Sequence, residues 1–150
     1  MPAVRLILGS KSDLPACEPL QALLREFGVD FDLHVSSAHR APEQTAKLAR
    51  DAETEGVRVI VAVAGMAAHL PGVVAAQTVL PVIGVPLASG GLGGLDALLS
   101  IAQMPPGVPV ACVAVGGTKN AALLAIQILA LGDNALREKY RAYKKSLAAG

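Results

Sequence analysis

The sequence predicts an α/β protein, a three-layer doubly wound parallel sheet with an additional C-terminal helix. Two observations carry that prediction. Short apolar runs alternate along the chain with segments in which apolar residues recur at three- and four-residue steps, the pattern of strands alternating with helices. The strand-like runs are almost continuously apolar, as strands covered on both faces must be. At 150 residues the chain suffices for one compact domain with its own core and is too short for two of ordinary size. Residues 1–150 are therefore read as a single domain.

The first unit is a strand over Val4 to Leu8, stopped by Gly9, then a helix whose apolar face is Cys17, Leu20, Leu23, Leu24 and Phe27, stopped at Gly28. The unit repeats with a strand over Phe31 to Val35 and a helix from Pro42, a residue suited to a first helical turn, to Glu55, with Gly56 after it. Val59 to Ala64 and Val82 to Leu87 are too short for buried helices and rich in Val and Ile, so both are read as strands. A fifth strand is expected over Val108 to Val115, after the Pro105-Pro106-Gly107 turn. Helices fit Leu70 to Thr78, Leu95 to Gln103, Asn120 to Leu131 and Ala135 to Leu147. Five such strands suggest a flavodoxin-like sheet, in which ligands bind beyond the carboxyl ends of the strands where strand order reverses.

Composition narrows the partners. The formal net charge is +1. The one dense basic stretch, Arg137, Lys139, Arg141, Lys144 and Lys145, reads as a solvated helix face. The aromatic residues are Phe27, Phe31, Tyr140 and Tyr143 alone, too few for a channel that stacks bases, so no nucleic-acid partner is expected. Between Val57 and Thr118 the only formally charged side chains are Arg58 and Asp96. A membrane span is not expected there, because His69, Pro71, Gln77, Pro81 and Pro86 interrupt the run. Burial against further copies of the chain explains so uncharged a stretch, since soluble monomers rarely expose large apolar patches. Cys17 and Cys112 have no ligand spacing and are read as reduced core thiols. The opening apolar run is too short for a secretion leader, so a cytoplasmic location is expected.

Three loops fall on the predicted ligand edge. Gly9-Ser10-Lys11-Ser12-Asp13 offers hydroxyls, a carboxylate and backbone N–H groups at a helix amino terminus, a plausible phosphate cradle. The competing explanation is that Ser12 or Asp13 only caps the helix. It is neither a Walker A loop nor a dinucleotide fingerprint. Ser36-Ser37-Ala38-His39-Arg40-Ala41-Pro42 follows the second strand, and Ala64-Gly65-Met66-Ala67-Ala68-His69-Leu70-Pro71-Gly72 the third. Two of the three histidines thus lie at this edge, and imidazole titrates near neutral pH. Arg40 could grip a phosphate through its planar fork or form a surface ion pair. The third loop, around Gly65, is small enough to bring backbone donors and acceptors near a flat ligand, though packing would explain it equally. His34, mid-strand, is read as structural. No carboxylate or cysteine clusters with the histidines, so no metal is expected. These residues lead to a phosphate-bearing small molecule and histidine acid/base chemistry, with His39 and His69 both candidates.

Together, Gly9-Ser10-Lys11-Ser12-Asp13, Ser37-Ala38-His39-Arg40, Ala67-Ala68-His69-Leu70-Pro71-Gly72 and Gln103-Met104-Pro105-Pro106-Gly107-Val108-Pro109-Val110 closely resemble the N5-carboxyaminoimidazole ribonucleotide mutase (PurE) family over nearly the whole chain. Arg40 and Met66-Ala67-Ala68 resemble its bacterial mutase branch, where the branch that carboxylates aminoimidazole ribonucleotide with carbon dioxide has lysine and Arg-Ser-Asn. The resemblance implies a purine-synthesis isomerase that moves a carboxyl group from N5 to C4 of a ribonucleotide, acts without a cofactor and assembles as a homo-octamer. It assigns His39 as general acid and base, Ser10 and Ser12 to the phosphate loop, Asp13 to the ribose and Arg40 to the phosphate. Ser37, Gly65 and His69 would line the pocket around the base. The chain departs from the pattern at Gly116-Gly117-Thr118-Lys119-Asn120, which is short, and at Ala97, where serine is common. The alternatives are the carbon dioxide-using carboxylase and a non-catalytic phosphoacceptor or flavin module. The non-catalytic readings lack the acidic cluster and ring-stacking aromatics that such modules use.

Overall fold

A computed structural model describes all of residues 1–150. Five parallel strands, β1 (Val4–Leu8), β2 (Phe31–Val35), β3 (Val59–Gly65), β4 (Val82–Leu87) and β5 (Ala111–Cys112), lie in the order β2-β1-β3-β4-β5. The helices are α1 (Leu14–Glu26), α2 (Pro42–Asp51), α3 (Leu70–Ala76), α4 (Leu95–Ala102), α5 (Thr118–Ala130) and α6 (Asn134–Ala148). The expected flavodoxin-like order is the observed one.

Side chains on the two faces of the strands build separate cores. Val4, Leu6, Leu8, Val59, Val61, Val63 and Val85 pack with α1, α5 and Leu136 of α6. Ile7, Ile60, Ala62 and Val82 pack with α2, α3 and α4 through Ala49, Val74, Ala97 and Ile101. This is the three-layer arrangement that two-sided apolar strands require. The added helix α6 starts at Asp133, whose carboxylate accepts from the Leu136 N–H at 3.0 Å. It docks Tyr143 edge-on against Phe27, with centroids 5.7 Å apart, and leaves its basic residues exposed. No helix is long and apolar enough to cross a membrane.

The fifth strand is much shorter than expected, two residues where eight were expected. Gly84 and Pro86 turn their backbone toward β5, since the Val113 N–H donates to Gly84 O and the Gly116 N–H to Pro86 O. Pro86 has no N–H to return, so the ladder ends there. The helix over Pro42 to Glu55 also ends sooner, at Asp51. Hydrogen-bonded turns carry the chain on to Gly56, whose φ of +89° suits glycine. Cys17 is buried as expected, and burial pushes its thiol up to about 12. Cys112 is only half-buried, on the edge strand.

At Gly84 α4 comes close to the sheet. A Cβ there would lie 2.4 Å from Ile101 Cγ2 and 3.0 Å from Val110 Cγ1. Gly84→Ala is expected to destabilise the fold by about 1–3 kcal/mol through overpacking. A lowered urea midpoint at fixed protein concentration would show it, and an unchanged midpoint would refute it.

Candidate active site

The strand register brings three loops together at one edge. Leu8 is paired with both Val35 and Val63. The Gly9 N–H donates to Val63 O at 3.0 Å and the Ser36 N–H to Leu8 O at 2.9 Å. The chains leaving β1, β2 and β3 therefore diverge side by side, and strand order reverses between β1 and β3. They enclose an open cleft of about 530 Å³. Its walls include every residue singled out from the sequence: Ser10, Ser12 and Asp13; Ser37, His39 and Arg40; Gly65 and His69.

In the first loop, Ser10 has extended backbone and its Oγ accepts from the Ser12 N–H at 3.3 Å. The Ser10 and Ser12 hydroxyls are 2.9 Å apart. Ser10 is thus the cap, and Asp13, at the start of α1, makes no capping bond with its side chain. The carboxylate of Asp13 and the hydroxyl of Ser12 are left facing the cleft rather than consumed in capping. Burial pushes the Asp13 carboxyl above its usual range, opposed by a backbone hydrogen bond from Ser10. A ligand hydroxyl donating to Asp13 would offset that desolvation.

In the second loop, Ser37 Oγ accepts from the Arg40 N–H at 3.1 Å and holds the turn that projects His39 and Arg40, both exposed. Beneath it, the buried Ser36 and Thr45 hydroxyls meet at 2.7 Å and tie the turn to α2. From the third loop His69 comes to meet His39. His39 Nε2 and His69 Nδ1 are 2.6 Å apart, with the rings at 84° to each other. At that distance the pair is a hydrogen bond in which one ring nitrogen donates and the other accepts, the tautomer setting which.

The sequence reading missed Ser89, which follows β4 and lines the same cleft. A Cβ on Gly65 would stand 1.9 Å from Ser89 Oγ, so the closeness of the two loops depends on a glycine at 65. The signal was available, since a residue just past a parallel strand lies on the ligand edge by topology alone. Nowhere do three His, Cys, Asp or Glu side chains gather in metal-binding proximity.

Comparison with known proteins agrees with this layout. A family profile described as AIR carboxylase matches residues 3–149. The chain belongs to the AIR carboxylase family. Among its relatives, proteins named N5-carboxyaminoimidazole ribonucleotide mutase are 53% identical over 98% of this chain in Pyrococcus abyssi, covering 84% of that protein, and 52% identical over 98% in Saccharolobus solfataricus, covering 93%. A phosphoribosylaminoimidazole carboxylase of Ogataea methanolica is 54% identical over 88% of this chain, a stretch that is only 24% of that longer protein. Crystal structures of a Treponema denticola PurE2 variant and of Treponema denticola PurE superpose with TM-scores of 0.90 and 0.88, at 29% and 30% identity. Each match covers 99% of this chain, with 92% and 93% of the respective Treponema chains.

Proposed function

We propose that the protein converts N5-carboxyaminoimidazole ribonucleotide into 4-carboxy-5-aminoimidazole ribonucleotide, with His39 as general acid and base. The observation that carries this reading is the cleft: a hydroxyl-lined helix start, a paired histidine and an uncharged loop around Gly65 converge on one space. That space belongs to a chain about half identical, nearly end to end, to proteins named as this mutase.

Ser10, Ser12 and Arg40 hold the phosphate, Asp13 accepts from the ribose, and Ser37, Gly65 and His69 border the imidazole. Protonated His39 gives its proton to N5 as the N5–carboxyl bond breaks, its electrons remaining on nitrogen and carbon dioxide departing. The electron-rich C4 attacks that carbon dioxide, and His39, now neutral, takes the C4 proton and restores the aromatic ring. One group that gives and then takes a proton near neutral pH suffices, and no cofactor is called for. Holding the carbon dioxide beside C4 replaces a bimolecular encounter by a near-unimolecular one.

We further propose a cytoplasmic homo-octamer. The exposed Leu92, Leu95, Leu99 and Val79 on this chain support burial against other copies.

The test is to supply the N5-carboxylated substrate without ATP or added metal and follow the 4-carboxylated isomer. Conversion is expected. Its absence, with activity instead on aminoimidazole ribonucleotide and carbon dioxide, would assign the protein to the carboxylase reaction.

A further inference from the structure

Met66 is the one residue other than glycine with a left-handed backbone, at φ +54°. That conformation is costly for a side chain-bearing residue and persists where the surroundings or a function hold it. Burial does not repay it, because Met66 is 57% exposed. The side chain lines the cleft and runs along the loop after β4: a Cβ on Gly90 would lie 3.5 Å from Met66 Cγ and 3.9 Å from its sulfur. Gly90, at φ +79°, has no side chain to crowd it. Together with the approach of Gly65 to Ser89, this brings the loops after β3 and β4 close together beside the cleft.

We propose that Met66, seated against Gly90, is the apolar cover that keeps released carbon dioxide in the cleft between loss from N5 and capture at C4. This rests on the mutase reading and adds to it a positioning residue that gives and takes no proton. Carbon dioxide is small and apolar and is lost to water unless its exit is covered. A flexible, unbranched thioether can close such a gap and still yield to an incoming ribonucleotide.

The experiment runs the conversion in carbon-13 bicarbonate with carbonic anhydrase present. It reads label in the product carboxyl by mass spectrometry at early times, corrected for enzyme-free exchange. Met66→Gly is compared with the unmodified protein and with Met66→Leu. Glycine relieves the backbone, so its melting temperature is expected to hold or rise. Its label incorporation is expected to rise at least about threefold, with free aminoimidazole ribonucleotide appearing, since the competing escape no longer meets a barrier. Leucine is expected to restore low labelling. Release of aminoimidazole ribonucleotide in place of product by Met66→Gly supports the same role. Equal labelling in Met66→Gly and the unmodified protein overturns the cover alone, as does loss of both product and released aminoimidazole ribonucleotide in that variant. An unmodified protein that forms no product overturns the mutase reading, and this proposal with it.

Discussion

Replacing His39 by asparagine is expected to lower turnover by about 100- to 10,000-fold while ribonucleotide binding stays within a few-fold of its original strength. Asparagine keeps a hydrogen-bonding group in the loop but can carry no proton, so it removes the transfer steps and leaves the cradle of Ser10, Ser12 and Arg40 in place. Steady-state formation of the 4-carboxylated isomer and calorimetric titration with a ribonucleotide separate the two effects. The loop itself is secured elsewhere, by Ser37 with the Arg40 N–H and by Ser36 with Thr45. Near-normal turnover in the variant would refute the role of His39. His69, 2.6 Å away, would then take its place, and His69→Asn would show the large loss instead.

The sequence made the layers and the ligand edge legible because both follow from periodicity. Apolar runs give two-faced strands, alternation with helices gives parallel order, and order decides which loops share an edge. Contacts made by tertiary structure alone were out of reach. Neither the meeting of His39 with His69 nor the left-handed Met66 leaves a mark in local spacing. The early carboxyl end of β5 was hidden because its cause is on another strand, at Pro86, which cannot donate to it, whereas Pro109 stands inside the expected strand at the amino end it lost. Choosing His39 over His69 as the acid and base came from family resemblance, and the cleft, which contains both rings, does not rank them.

Arg5 shows the same limit from the side of stability. It sits inside the apolar run Val4 to Leu8 and is only 3% exposed, on the interior strand β1. Its guanidinium donates to Asp32 on β2 at 2.7 Å, to Glu55 beyond α2 at 2.5 Å and to Leu48 O within α2 at 2.9 Å. One side chain therefore ties the edge strand β2 and α2 to β1, outside the lining of the cleft. Arg5→Met keeps most of the volume and strands two carboxylates, with only the His34 ring, its Nε2 3.2 Å away and not hydrogen-bonded, left beside Asp32. The expected loss is about 3 kcal/mol, the low end for removing one member of a buried ion pair, because water still reaches Asp32 and Glu55. Asp32→Asn should cost less, since Glu55 and Leu48 O continue to serve Arg5.

The pH dependence of that loss separates charge from packing. Burial alone would raise the Asp32 carboxyl, but the Arg5 guanidinium hydrogen-bonded to it, with the His34 ring nearby, outweighs it and holds the carboxyl below its usual range. A carboxyl depressed in the folded state contributes stability that is complete above its unfolded value, about 3.9, and is lost as pH falls through the lower folded value. Without Arg5 the sign reverses, because desolvation then dominates and protonation relieves it. The gap in urea midpoint between the original protein and Arg5→Met is thus expected to be wide at neutral pH and to narrow in acid below about pH 4. A gap of equal width at both pH values would mean that Arg5 stabilises the sheet by filling space, and the ion-pair account would fall.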